Sequence, residues 1–116
     1  MPLHQDNLIV NKTFTLLKDL VPILARFPRQ QRFLLGDRIQ NTATDVLEIC
    51  IEAYYSPAEE KLARLRRANI QLEKLRYFFR LCFELGYYNS LKYQDLARKV
   101  DEIGSMIGGW IKSLKH

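Results

Sequence analysis

Seven basic side chains crowd one stretch of the sequence: Lys61, Arg64, Arg66, Arg67, Lys74, Arg76 and Arg80, opposed between residues 61 and 80 only by Glu73. Guanidinium groups favour two-pronged contacts with phosphate, so rows of them can hold a nucleic-acid backbone in a salt-dependent way. The same residues have a plainer use. Glu73 to Arg76 and Arg80 to Glu84 stand at helical ion-pair spacing, and long basic side chains also cover apolar surface. At 100° per residue, Arg64, Arg67 and Lys74 flank the apolar stripe of this segment on one side, and Arg76 and Arg80 flank it on the other. A second cluster, Arg26, Arg29 and Arg32, surrounds Phe27 and Pro28 and would lie at one end of an antiparallel bundle. Tyr54, Tyr55, Tyr77, Tyr87 and Tyr88 could stack on unpaired bases, although bulky residues near helix ends more commonly close a core.

Catalytic chemistry has little to work with. His4 and His116 are both terminal, no Glu-x-x-His pair suits a di-metal bundle, and no glycine-rich phosphate loop or nucleophile elbow occurs. Cys50 and Cys82 sit inside apolar helical patterns, which predicts buried thiols and excludes a disulfide framework or a four-ligand zinc site. No cofactor, metal or small-molecule substrate is expected. Gly104, Gly108, Gly109 and Trp110 form the other unusual group, because each helix-interior glycine costs about 1 kcal/mol relative to alanine. Two readings fit: a neighbouring backbone approaches closely with Trp110 as its anchor, or the helix ends near Gly108 and Trp110 folds back on its own chain.

These residues must be positioned by helices. Val10, Phe14, Leu17, Val21 and Leu24 predict a buried face on a helix over about 7–26, kinked at Pro22 where the bond back to Lys18 is lost. A second helix over about 30–55 should bury Phe33, Ile39, Ala43, Val46, Cys50 and Ala53, with Asp37, Asn41, Asp45, Glu48 and Glu52 as an acidic stripe toward solvent. Ser56, Pro57 and Glu59 predict a capping box opening a third helix over about 57–86, carrying Leu65, Ala68, Leu72, Leu75, Phe79 and Cys82 and closed by Gly86. Ser90 would cap a fourth over about 90–115, with Tyr93, Leu96, Val100, Ile103, Ile107, Trp110 and Leu114 on one stripe. Short connections favour an all-α, antiparallel up-down-up-down four-helix bundle in a single domain over 1–116.

Composition agrees with that class. With 47% hydrophobic residues, 27% charged residues and a net charge of +5 over 116 residues, the chain can bury a core and favours a polyanionic partner. No apolar run approaches the roughly 20 residues of a membrane span, and the first residues lack the pattern of an export signal, so a cytoplasmic protein is expected.

Three blocks carry a resemblance: RFLLGDRIQNTATDVLEICIEA, ANIQLEKLRYFFRLCFELG and DEIGSMIGGWIKSL. They resemble the accessory variability determinant (Avd-like) proteins of diversity-generating retroelements, within a wider four-helix-bundle family that includes proteins encoded in intervening sequences of bacterial 23S ribosomal RNA genes. The resemblance spans roughly Leu17 to Leu114. It implies a homopentamer, basic along its central surface, that associates with the retroelement reverse transcriptase and binds RNA or DNA during mutagenic cDNA synthesis without an active site of its own. On the matched blocks it points to Lys74, Arg76 and Arg80, beside which local charge places Arg64, Arg66 and Arg67. Arg29 and Arg32 are further candidate contacts, and Gly108, Gly109 and Trp110 candidates for helix-end packing or a subunit interface. The alternatives are a protein-interaction bundle that recognises an acidic protein face, and an intervening-sequence protein of unknown role.

Overall fold

The computed structural model describes residues 4–115, with side chains from Asn7 onward. It contains α1 (His4–Ala25), the short α2 (Arg29–Gln31), a π turn (Arg32–Gly36), α3 (Asp37–Tyr55), α4 (Ala58–Glu84) and α5 (Ser90–Ser113), with no strand among the described residues. α2, the π turn and α3 run on without interruption, so the described residues form four arms. Each arm packs on the next in the chain and α1 closes against α5, which gives the up-down-up-down four-helix bundle expected, with extents of 46 × 23 × 19 Å. His4 falls in α1, and His116 lies outside the described residues.

One core runs the length of the bundle. Leu20 and Leu24 of α1, Ile39, Val46 and Cys50 of α3, Leu65, Leu72, Leu75 and Phe79 of α4, and Leu96, Val100, Ile103 and Ile107 of α5 are all buried. Each large side chain taken from water contributes about 1.5–3 kcal/mol, which sets the arms' rotation about their own axes. That rotation places the surface residues.

Four local expectations are corrected. The buried row of α1 is Ile9, Thr13, Leu16, Leu20 and Leu24, while Phe14 and Val21 are about half exposed and Val10 and Leu17 lie between. α1 carries two adjacent apolar rows, and periodicity cannot choose between them. Phe33 is 67% exposed, since six residues before Ile39 is about 120° off its face and the intervening π turn does not bring it back. No capping box forms at Ser56. Its hydroxyl donates to the Glu52 carbonyl and its backbone is extended, as a residue before proline prefers, so Ser56 ends α3 and α4 begins at Ala58. Asn89, and not Ser90, caps α5, its Oδ1 accepting the Lys92 amide at 2.9 Å.

The predicted stop at Gly86 holds. Its φ of +80° lets the Tyr87 amide reach the Cys82 carbonyl at 2.9 Å and the Gly86 amide reach that of Phe83 at 3.0 Å, satisfying the end of α4.

Candidate nucleic-acid interface

α4 has α3 on one flank and α5 on the other, so with Leu65, Leu72, Leu75 and Phe79 turned inward its opposite side faces solvent. Advancing 100° per residue, that side carries Arg66, Arg67, Ile70, Lys74, Tyr77 and Leu81. All six are exposed, Ile70 by 59% and Tyr77 by 64%, and Arg66, Arg67 and Lys74 form no ion pair among the described residues. Three uncommitted cations thus share this face with three largely apolar side chains, Ile70, Tyr77 and Leu81, that have not been drawn into the core.

The other candidate cations are committed. Arg64 is half-buried and lies 3.5 Å from Glu60. Arg76 donates through Nε to Asp101 of α5 at 3.0 Å and through Nη1 to Glu73 at 2.7 Å. Partial burial works against its charge, but the hydrogen bonds with Asp101 and Glu73 outweigh that and hold its pKa above the usual arginine value. Arg80 donates to Glu84 at 2.7 Å, which likewise raises its pKa. Recruiting either to a phosphate means breaking a contact that is already made. Lys61, counted in the same basic run, caps α3: its Nζ donates to the carbonyls of Ala53 at 2.7 Å and Tyr54 at 3.1 Å and sits 5.8 Å from the centre of the Trp110 ring.

Arg29 and Arg32 are exposed, and Arg32 Nη1 donates to the Ala25 carbonyl at 3.3 Å across the turn. They sit at the end of the bundle where α4 finishes, and Arg66 is about 27 Å from that end along a helix rising ~1.5 Å per residue. By the same rise Lys74 is about 15 Å from that end, so the free cations of α4 begin about 15 Å along the bundle from Arg29 and Arg32. Tyr54, Tyr87 and Tyr88 are half-buried and pack against the core, Tyr88 donating its hydroxyl to the Phe79 carbonyl, whereas Tyr55 and Tyr77 are exposed.

Trp110 is buried in its own chain's core, so it is no exposed anchor, and α5 continues past Gly108 and Gly109 to Ser113 and does not end there. At Gly104 a Cβ would stand 2.8 Å from Arg76 Nη2, the mobile end of a long side chain that would have to shift. Gly108 has open space around it and Gly109 is exposed. Sequence reasoning missed the Arg76–Asp101 pair, whose members lie 25 residues apart, and the outward turn of Ile70, Tyr77 and Leu81. Their spacing of seven and four residues on α4 is the signal that could have revealed the latter.

Among the described residues no group of acidic, cysteine or histidine side chains is arranged to hold a metal, and no helix is long and apolar enough to cross a membrane. Both cysteines are buried and free, burial alone pushing the Cys50 thiol up to about 12, and burial, less the Tyr88 hydrogen bond, the Cys82 thiol to about 11. The fold and this surface define an up-down-up-down helical bundle with a basic, partly apolar outer helix face. The chain belongs to the bAvd-like family, whose model matches residues 7–114. A solved structure with the same fold is that of a protein of unknown function from the S23 ribosomal protein family of Bacteroides thetaiotaomicron. It is 18% identical, with a TM-score of 0.85 over 93% of this chain and 98% of that one. No curated protein sequence matches.

Proposed function

We propose that this chain is a non-catalytic, nucleic-acid-binding accessory subunit that associates with the reverse transcriptase of a diversity-generating retroelement in the cytoplasm and supports mutagenic cDNA synthesis. Membership of the bAvd-like family supports the accessory role. The observation that carries the nucleic-acid reading is the outer face of α4, where Arg66, Arg67 and Lys74 are exposed and unpaired beside Tyr77 and Ile70. Arginine and lysine supply backbone contacts without sequence preference, and an exposed tyrosine offers a stacking platform for an unpaired base. Sequence choice is left to base pairing and RNA shape. A charge of +5 gives one copy a modest field, and a homopentamer multiplies it.

Light scattering on the purified protein, alone and with a structured RNA at low and moderate salt, tests oligomer and complex together, and co-purification with the polymerase tests the partner. A pentamer that binds RNA less tightly at higher salt and retains the polymerase is the expected result. A monomer indifferent to both would overturn it.

A second reading is supported by Ile70, Tyr77 and Leu81, which suit a protein partner as the core of an interface rimmed by the same cations. Unrelated polyanions separate the two, since they compete for a backbone-binding face and leave a specific protein interface largely occupied.

A further inference from the structure

Away from α4, a cleft of about 610 Å³ opens between the last turns of α1 and the start of α5. Pro22 and Ile23 form its apolar wall, and the connection Tyr87, Tyr88 and Asn89 forms its end. Three cations and one carboxylate line it, and they are not equivalent. Lys99 Nζ is held by Asp19 at 3.2 Å and by Asp95 at 3.0 Å, so its charge is already engaged. Arg26 and Lys92, one on each wall, are exposed and form no ion pair among the described residues.

The aromatic end is fixed in place. Tyr87 packs its ring against Phe27 with centroids 5.1 Å apart, and Tyr88 is held by the hydrogen bond of its hydroxyl to Phe79. Asn89 Oδ1 is engaged by the Lys92 amide, which leaves its amide nitrogen as a donor to the cleft.

We propose that this cleft binds a nucleoside monophosphate unit, the phosphate between Arg26 and Lys92 and the base along Tyr87, Pro22 and Ile23. Its volume is in the range of small-ligand sites, about 300–1,000 Å³. Two uncommitted cations match a terminal phosphate, which carries about −1.5 to −2 near neutral pH, better than the single charge of an internal phosphodiester. Arg26 can engage two phosphate oxygens at once, and Lys92 adds a point charge from the opposite wall. An aromatic and apolar wall accepts any base face, so base identity is not selected. The site shares no residue with the α4 face and stands whether or not that face binds nucleic acid. The unit has two sources, the 5′ end of a single strand and a free mononucleotide.

The test measures affinity for a 5′-phosphorylated single strand, the same strand with a 5′ hydroxyl, and AMP. It is run on the intact protein, on R26Q/K92Q and on R66Q/R67Q/K74Q. Both cleft cations are exposed, so the first variant should keep the parent unfolding temperature. The expected result is a preference of about tenfold for the phosphorylated strand, roughly the effect of one good charge-assisted contact, present in the parent and the α4 variant and abolished in R26Q/K92Q. AMP binding with the same dependence on Arg26 and Lys92 makes the free nucleotide the source, and a preference confined to strands makes it the strand end. Equal affinity for both strands with no AMP binding overturns the proposal, as does a preference that survives R26Q/K92Q. Loss of strand binding in the α4 variant alone bears on the outer face and leaves the AMP result to decide the cleft.

Discussion

A buried thiol and an exposed glycine record opposite demands on a side chain. Cys50 and Cys82 fill space between arms, and desolvation of the thiolate raises both pKa values. Neither thiol should react with an alkylating reagent in the native protein near pH 8, and both should react in denaturant, as mass spectrometry will register. The glycines of α5 divide in the same manner. Replacing Gly108 by alanine meets no atom within 4 Å, so it should raise stability by about 0.5–1 kcal/mol through the smaller entropy of the unfolded chain. Gly104→Ala gains the same helix term but must push Arg76 Nη2 aside and loosen its pair with Asp101, an exposed contact worth about 0–1 kcal/mol, so its net effect should be near zero. Parallel denaturant titrations of the two variants compare them directly.

At the level of elements, the inward faces of α4 and α5 were legible in the sequence because each carries one continuous apolar row at steps of three and four residues. Leu65 to Cys82 and Leu96 to Trp110 are buried as their spacing requires. α1 was not, since Val10, Phe14, Leu17 and Val21 compete with Ile9, Leu16 and Leu20 for the same core and only the packing of three other arms selects one row. Ser56 marked a boundary correctly for the wrong reason: proline forbids α3 to continue, Lys61 caps the end of α3, and no side chain caps the start of α4. The basic run of α4 was legible as composition but not as a site. Helical spacing had already paired Glu73 with Arg76 and Glu84 with Arg80, and the folded chain adds Glu60 on Arg64 and Asp101 on Arg76, which singles out the free members. A structural role for Lys61 makes a specific claim. Lys61→Met, which keeps the stem and deletes the donors, should cost about 1–2 kcal/mol in thermal unfolding while leaving nucleic-acid affinity nearly unchanged.

Across the whole molecule, ion pairs tie α1 to α5 through Lys12 and Glu102 and through Asp19 and Lys99. The hydrogen bonds of Lys99, and then of Arg98, hold Asp95 below the usual aspartate value, and that of Lys12 holds Glu102 below the usual glutamate value. A carboxylate depressed in the folded state takes up its proton first in the unfolded chain. Its contribution is therefore complete above the unfolded pKa and is lost as pH falls through the lower folded one. The unfolding temperature should change little between about pH 5 and 8 and drop below about pH 4, by a modest amount because both groups are partly exposed to solvent.

The central claim is that the exposed cations of α4 hold a nucleic-acid backbone. The slope of log affinity against log salt tests it most directly, measured for a single-stranded RNA on the parent protein and on R66Q/R67Q/K74Q. With about 0.7 counterions released per phosphate contact on a single strand, the slope should fall in magnitude by about 2 per subunit engaged. An unchanged slope and affinity in a variant of unchanged fold and mass would contradict the account and leave the outer face of α4 to a protein partner.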